Sequence, residues 1–182
     1  QLHLFDSHSE EKSCIPAYQI FDARFRKSYI AGPLMTPDIK PDWTIPQSWY
    51  DEKFVAKADS LDELAEQLGM NADNLKDTVS RMNDYAVTGK DLEHGRGDVA
   101  YDRYYGDPRV EPNPCLAPIG EPPFYALRLE PGDFGTHGGL ATNTDAQVMR
   151  EDGTVISGLY AIGNCSAAIL PTYPGPGSTL GP

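Results

Sequence analysis

Long apolar runs, cysteines and basic side chains are all scarce in this chain of 182 residues. No run approaches the roughly 20 apolar residues that a membrane helix needs, so we expect no membrane span. Fifteen basic against 27 acidic side chains give a net charge of −12, which argues against nucleic acid or an anionic membrane as a partner. Three scattered cysteines (Cys14, Cys115 and Cys165) form no CxxC pair. They predict a reducing compartment and no structural zinc, and with no visible signal peptide we expect a cytoplasmic location.

Glycine and proline are abundant but unevenly distributed. The chain holds 17 glycines and 16 prolines, yet residues 51–90 contain only Gly69 and Gly89 and no proline. Apolar residues make up 40% of the chain and charged residues 23%, a balance typical of a globular chain. We therefore expect one helical segment between loop-rich segments.

The segment 60–87 predicts two helices packed as a hairpin. Ser60 and Glu63 form a capping box at the start of the first helix, and Gly69 is suited to end it. Gly89 is placed to end the second helix. Apolar residues recur at helical spacing and should face inward: Leu61, Leu64, Leu68, Leu75, Val79 and Met82.

The remaining segments predict short strands and irregular loops. Residues 15–22 and 124–129 have strand-like apolar patterns, and 146–157 predicts a β-hairpin with its turn at Glu151-Asp152-Gly153. The prolines in 30–50 and 94–123 predict irregular structure. Together with the helical hairpin, these elements indicate an α+β chain.

Two glycine-containing motifs are candidates for ligand contact. Residues 158–164 predict a buried strand that ends at Gly163 and is followed by Asn164. The Asn164 side chain could form a hydrogen bond with a ribityl hydroxyl, and glycine would allow the ligand to approach the backbone closely. By itself the motif is equally typical of a generic buried strand. The glycine-rich tail 173–181 predicts a loop that opens a helix, where free amides suit a developing anion. Since the chain stops there, we expect a fragment truncated at both ends.

Several motifs resemble one family of flavoproteins. They are Tyr101–Pro108 (YDRYYGDP), Asn113–Pro118 (NPCLAP), Gly132–Leu140 (GDFGTHGGL), Asp152–Asn164 (DGTVISGLYAIGN) and Tyr173–Gly177 (YPGPG). The chain from about Ile15 onward resembles the C-terminal part of 3-ketosteroid dehydrogenases, or 3-oxosteroid 1-dehydrogenases. These enzymes belong to the fumarate reductase/succinate dehydrogenase flavoprotein superfamily.

The resemblance implies two domains and FAD as the cofactor of the full-length protein. Residues 1–123 would form a cap, or catalytic, domain containing the helical hairpin. Residues 124–182 would return into a truncated, Rossmann-like FAD-binding domain. The family's N-terminal glycine fingerprint is absent from the sequence. The implied cofactor-binding residues are Gly139, Gly163, Asn164, Ser178, Thr179 and Leu180.

The resemblance also implies a reaction and its catalytic residues. Tyr173 and the Gly177 amide would hold the 3-keto oxygen, where charge develops as the ketone enolises. A base would remove a neighbouring proton while flavin accepts hydride, which desaturates ring A across the 1,2-bond. The 4,5-bond remains an alternative. The base would be either Tyr29 or a residue preceding Gln1, and an aromatic packing role is the favoured alternative for Tyr29. A packing role as a rigid aromatic remains the alternative for Tyr173.

Two other functions remain open. One is a fumarate reductase-like or other FAD dehydrogenase acting on a different substrate. Fumarate reductases carry a substrate-binding His three places before the Gly-Gly pair, where this sequence has Gly135. The other is a non-catalytic domain that binds a hydrophobic ligand or a partner chain through its aromatic, proline-rich surface. The expected partners are a steroid or other hydrophobic ketone and the missing N-terminal FAD-binding half.

We predict that a polypeptide of residues 1–182, purified alone, is colourless. The glycine fingerprint that holds dinucleotide phosphates is absent from its sequence, so flavin absorbance at about 450 nm should be missing from its spectrum. A purified polypeptide carrying one flavin per chain would contradict the fragment interpretation.

Overall fold

The computed structural model describes residues 5–6, 11–12, 15–132 and 138–168. The chain is a mixture of helix and sheet that divides into two compact units, Gln1–Glu130 and Pro131–Pro182. Within the described residues, no helix is both long and apolar enough to cross a membrane.

A three-stranded antiparallel sheet forms the centre of the first unit. After the short antiparallel pair β1 (Phe5–Asp6) and β2 (Glu11–Lys12), the chain forms β3 (Ala17–Phe21), β4 (Val55–Ala58) and β5 (Phe124–Leu129). The strand order is β3-β5-β4, so β5 lies in the middle. This arrangement confirms the strands predicted near residues 15–22 and at 124–129.

Both faces of β5 are covered, which explains its unbroken apolar sequence. Successive side chains of a strand point to opposite faces. Tyr125 and Leu127 accordingly join one buried cluster with Phe21 and Val55. Phe124 and Ala126, by contrast, join another cluster that includes Leu64.

The predicted helical hairpin is confirmed as α3 (Leu61–Leu68) and α4 (Ala72–Thr88). These helices follow α1 (Ala23–Ser28) and α2 (Gln47–Asp51) in the chain. Gly69 and Gly89 end the helices with φ of 69° and 72°, the left-handed region that glycine adopts without strain. The Ser60 hydroxyl accepts a bond from the Glu63 amide at 3.1 Å. In a capping box the Glu63 carboxylate would accept a hydrogen bond from the Ser60 amide. It accepts one from the Asp59 amide instead. All six residues predicted to face inward are buried or half-buried.

Short helices interrupt the proline-rich segments, so the expectation of irregular structure throughout is wrong there. These segments contain a 3₁₀ turn at Asp42–Thr44, α2 (Gln47–Asp51) and α5 (Ala100–Tyr105). Proline is tolerated at the start of a helix because the backbone nitrogens there have no hydrogen-bond partner within the helix. Pro46 directly precedes α2. The six residues of α5 contain neither glycine nor proline.

The second unit contains the predicted β-hairpin. Strands β6 (Gln147–Met149) and β7 (Val155–Tyr160) pair antiparallel, which confirms the turn assigned to residues 151–153. The prediction that β7 is buried and extends to Gly163 is wrong within the described residues. The strand ends at Tyr160, whose side chain is 60% exposed. Strand β7 pairs only with β6, so its other edge has no strand partner among the described residues.

We predict that Leu64→Ala lowers the apparent free energy of unfolding by about 2–5 kcal/mol. Leu64 is fully buried between α3 and the sheet, and truncating such a side chain loses apolar burial and leaves a cavity. The matched control is Val87→Ala on α4, where the side chain is 80% exposed and the expected change is within about 0.5 kcal/mol. Denaturant unfolding followed by circular dichroism measures both variants, and equal effects would contradict the assigned packing.

Candidate functional site

Three of the predicted cofactor residues lie at one junction in the second unit. The Leu140 amide donates to the Cys165 carbonyl at 3.0 Å, and the Ala167 amide donates to the Leu140 carbonyl at 2.8 Å. These bonds place Gly139 beside the 3₁₀ turn Gly163–Cys165. Residues 25 positions apart in sequence are thus brought together by backbone pairing.

The close approach at this junction requires glycine at position 139. A Cβ atom built on Gly139 would lie 2.3 Å from the Cys165 carbonyl oxygen and 2.8 Å from that of Ser166. Both contacts involve backbone atoms, which cannot rotate away as a side chain could. Any larger residue would therefore separate the two segments.

One carbonyl oxygen of the turn after β7 accepts two hydrogen bonds from the same residue. The Gly163 carbonyl accepts two bonds from Ser166, one from the amide at 3.0 Å and one from Oγ at 2.8 Å. Gly163 has a φ of 60°. Within this turn the Oδ1 atom of Asn164 is buried, and no described residue donates a hydrogen bond to it.

The other predicted site residues lie outside the described residues. These are the two catalytic candidates, Tyr173 and Gly177, and three cofactor-binding candidates, Ser178, Thr179 and Leu180. Their roles remain predictions.

Tyr29, the candidate base in this chain, is engaged as a hydrogen-bond donor. Its hydroxyl donates to the Asp107 carboxylate, which also pairs with Arg109 at 2.8 Å. The hydrogen bond to Asp107 is the largest cause that raises the pKa of Tyr29 above its ordinary value. A tyrosine base needs a lowered pKa, so this environment opposes such a role. The contact instead joins the end of α1 to the segment after α5.

The Asp42 carboxylate, which sequence reasoning did not single out, connects a helix, a loop and two strands of the first unit. It accepts hydrogen bonds from Arg26 at 3.1 Å, Lys57 at 2.8 Å and Tyr125 at 2.6 Å. Burial opposes ionisation of Asp42, but the bonds from Lys57 and Tyr125 hold its pKa below the ordinary value. Arg26 also donates to the carbonyls of Met35 and Lys40. The network therefore fixes the proline-rich loop to the sheet.

Comparison with known proteins identifies the family. The family model described as "FAD binding domain" matches residues 4–180. The chain belongs to this family.

Three relatives show how the similarity is distributed. A 3-oxosteroid 1-dehydrogenase of Mycobacterium tuberculosis is 47% identical over 92% of this chain and 29% of its own length. A 4-oxocyclohexanecarboxylate 2-dehydrogenase of Sinomonas cyclohexanicum is 40% identical over 100% of this chain and 30% of its own length. The crystal structure of a 3-ketosteroid delta1-dehydrogenase from Sterolibacterium denitrificans, with 1,4-androstadiene-3,17-dione, superposes with a TM-score of 0.79. It is 49% identical, over 96% of this chain and 31% of that one. The chain thus spans about three tenths of the length of these relatives.

The residues of the junction fit FAD, the family's cofactor. A buried acceptor without a donor is costly, and the Asn164 Oδ1 atom is such an acceptor. Ribityl and ribose hydroxyls of FAD are donors that could satisfy it. Gly139 lets its segment lie against the Cys165 backbone, and the space where a Cβ of Gly163 would lie is open. The absence of a side chain at Gly163 would allow a ligand to approach the backbone closely.

We predict that Gly139→Ala lowers the affinity of the full-length protein for FAD at least about fivefold. The added methyl group would push apart two backbone segments, and such overpacking typically costs about 1–3 kcal/mol. The matched control is Gly132→Ala in the same unit, where an added Cβ meets nothing within 4 Å. Flavin titration of the apoproteins measures both variants. Equal affinities for Gly139→Ala, Gly132→Ala and wild type would show that the junction does not hold the cofactor.

Proposed function

We propose that the protein containing this chain is an FAD-dependent 3-ketosteroid dehydrogenase that removes two hydrogens across the 1,2-bond of ring A. The similarity to 3-oxosteroid 1-dehydrogenases over nearly the whole chain carries this proposal. The glycine junction with its unsatisfied Asn164 supports the cofactor. We further propose a cytoplasmic location, which three scattered cysteines favour.

The two parts of the chain serve different purposes in this proposal. Residues 1–123 act as the cap, or catalytic, domain, and residues 124–182 complete a Rossmann-like FAD-binding domain with the rest of the protein. The position of the junction residues within the second compact unit supports the second assignment, whereas β5 lies in the sheet of the first unit.

The chain's own residues stabilise the enolate in the proposed reaction. Tyr173 and the Gly177 amide donate hydrogen bonds to the 3-keto oxygen. Negative charge develops there as the neighbouring C–H loses its proton, and donors held in place favour that charge more than the neutral ketone. Because Tyr29 donates to Asp107, we assign the base to a residue preceding Gln1. FAD, when bound, accepts the hydride from the adjacent carbon.

A smaller cyclic ketone is a second candidate substrate. The 4-oxocyclohexanecarboxylate 2-dehydrogenase matches the entire chain at 40% identity. Its named substrate also carries a ketone on a six-membered ring, so the same oxyanion donors would serve both. The fumarate reductase alternative is less favoured, since Gly135 replaces the expected histidine. A purely binding role would not require Tyr173 together with Gly177.

We predict that Tyr173→Phe in the full-length enzyme lowers kcat far more than it weakens steroid binding. The ring remains for packing, while the hydroxyl that donates to the enolate oxygen is lost. Loss of one oxyanion donor typically lowers the rate about 10²–10³-fold. Some activity should survive through the Gly177 amide. Steady-state turnover of a 3-ketosteroid with an artificial electron acceptor, at equal FAD content, measures the effect.

The outcome separates catalysis from packing at Tyr173. A raised KM with kcat changed by less than about threefold would mean that Tyr173 contributes uniform binding only. The matched control is Tyr104→Phe on α5, an exposed tyrosine, which should leave both constants unchanged.

A further inference from the structure

We propose that Ser166 is a positioning residue for the cofactor: its hydroxyl holds the turn that fixes Asn164. The inference rests on the proposed FAD dependence. It adds Ser166 to the residues proposed to support FAD binding, a role that neither the motifs nor the resemblance had assigned to it. It starts from the two bonds that Ser166 donates to the Gly163 carbonyl, from its amide at 3.0 Å and its Oγ at 2.8 Å.

The two bonds occupy both lone pairs of one oxygen. That carbonyl belongs to the peptide plane between Gly163 and Asn164, so holding the oxygen fixes the orientation of the plane. That plane contains the nitrogen and Cα atoms of Asn164. Together with the next peptide plane, it determines φ of Asn164 and the direction of its Cα–Cβ bond. The hydroxyl of Ser166 therefore acts on the Asn164 side chain through the backbone.

The other restraint within the turn is weaker. The next peptide plane is held by a bond from the Cys165 amide to the Ile162 carbonyl at 3.3 Å, longer than is typical of a strong N–H···O bond. Beyond it, the Cys165 carbonyl is anchored by the Leu140 amide at 3.0 Å. The Ser166 hydroxyl is thus the side-chain group that restrains the Gly163–Asn164 plane.

The unsatisfied Asn164 side chain explains why a restraint on this turn would favour cofactor binding. Its Oδ1 is buried without a donor among the described residues, although a turn free to open could expose that atom to water. A closed turn keeps the acceptor unsatisfied until a ligand hydroxyl reaches it. Preorganisation of this kind raises affinity because the ligand does not have to order the turn.

The test measures FAD affinity of the full-length apoprotein by quenching of flavin fluorescence, without steroid. Ser166→Ala keeps the backbone bond and removes the hydroxyl. We expect the dissociation constant to rise about three- to tenfold, the range for loss of one neutral hydrogen bond. Ser166→Thr keeps the hydroxyl and should restore wild-type affinity. Ser80→Ala, at an exposed position of α4, is the matched control and should change nothing.

A double-mutant cycle distinguishes positioning from general destabilisation. If Ser166 acts through Asn164, then in an Asn164→Ala background Ser166→Ala should alter the dissociation constant by less than about twofold.

Should Ser166→Ala fail to fold, Ser166→Cys replaces it, since a thiol is a poor donor of similar size. Unchanged affinity in Ser166→Ala, no rescue by threonine, or fully additive effects with Asn164→Ala would each overturn the inference. A wild type that binds FAD but does not desaturate a steroid would contradict the proposed function alone.

Discussion

Buried backbone groups must be hydrogen-bonded, and this requirement shapes a chain with few regular elements. Aspartate and asparagine side chains make the bonds that helices and strands would otherwise supply. The buried Asp22 carboxylate caps α1 through the Phe25 amide and accepts from the amides of Gly120 and Glu121, which fixes the segment entering β5. The fully buried Asn113 likewise donates to the carbonyls of Gly89 and Arg96. Buried side chains thus satisfy backbone groups in these loop segments.

The same requirement makes the exceptions informative. Two buried side-chain atoms lack a hydrogen bond among the described residues, Nε of Arg128 and Oδ1 of Asn164. The first lies 2.9 Å from the Glu130 carboxylate, so its charge is compensated. Asn164 has no such compensation, and it lies in a turn next to the glycine that permits close backbone approach. Among the described residues, the Asn164 Oδ1 atom is thus an open acceptor, which supports its proposed role in holding FAD.

Local sequence signals predicted the local structure well and the site only in part. The helical hairpin was predictable because Ser60, Gly69 and Gly89 act on neighbouring residues. The exposure of β7 was not predictable. Leu159 and Tyr160 have large, largely apolar side chains, and the sequence does not show whether such side chains are covered by other residues. The contact of Gly139 with Cys165 joins segments 26 residues apart, so local sequence signals could not predict it. Asp42 and Ser166 carried no signal, because their importance depends on partners that folding brings to them.

The most direct measurement of the proposed function is the fate of hydrogens on the steroid ring. A 3-ketosteroid labelled with deuterium at C1 and C2 would be incubated with the full-length holoenzyme and an electron acceptor, and the product analysed by mass spectrometry and NMR. The account predicts a new 1,2-double bond with loss of one deuterium from each of the two carbons. Complete retention of both labels, or a new double bond at C4 and C5, would contradict it.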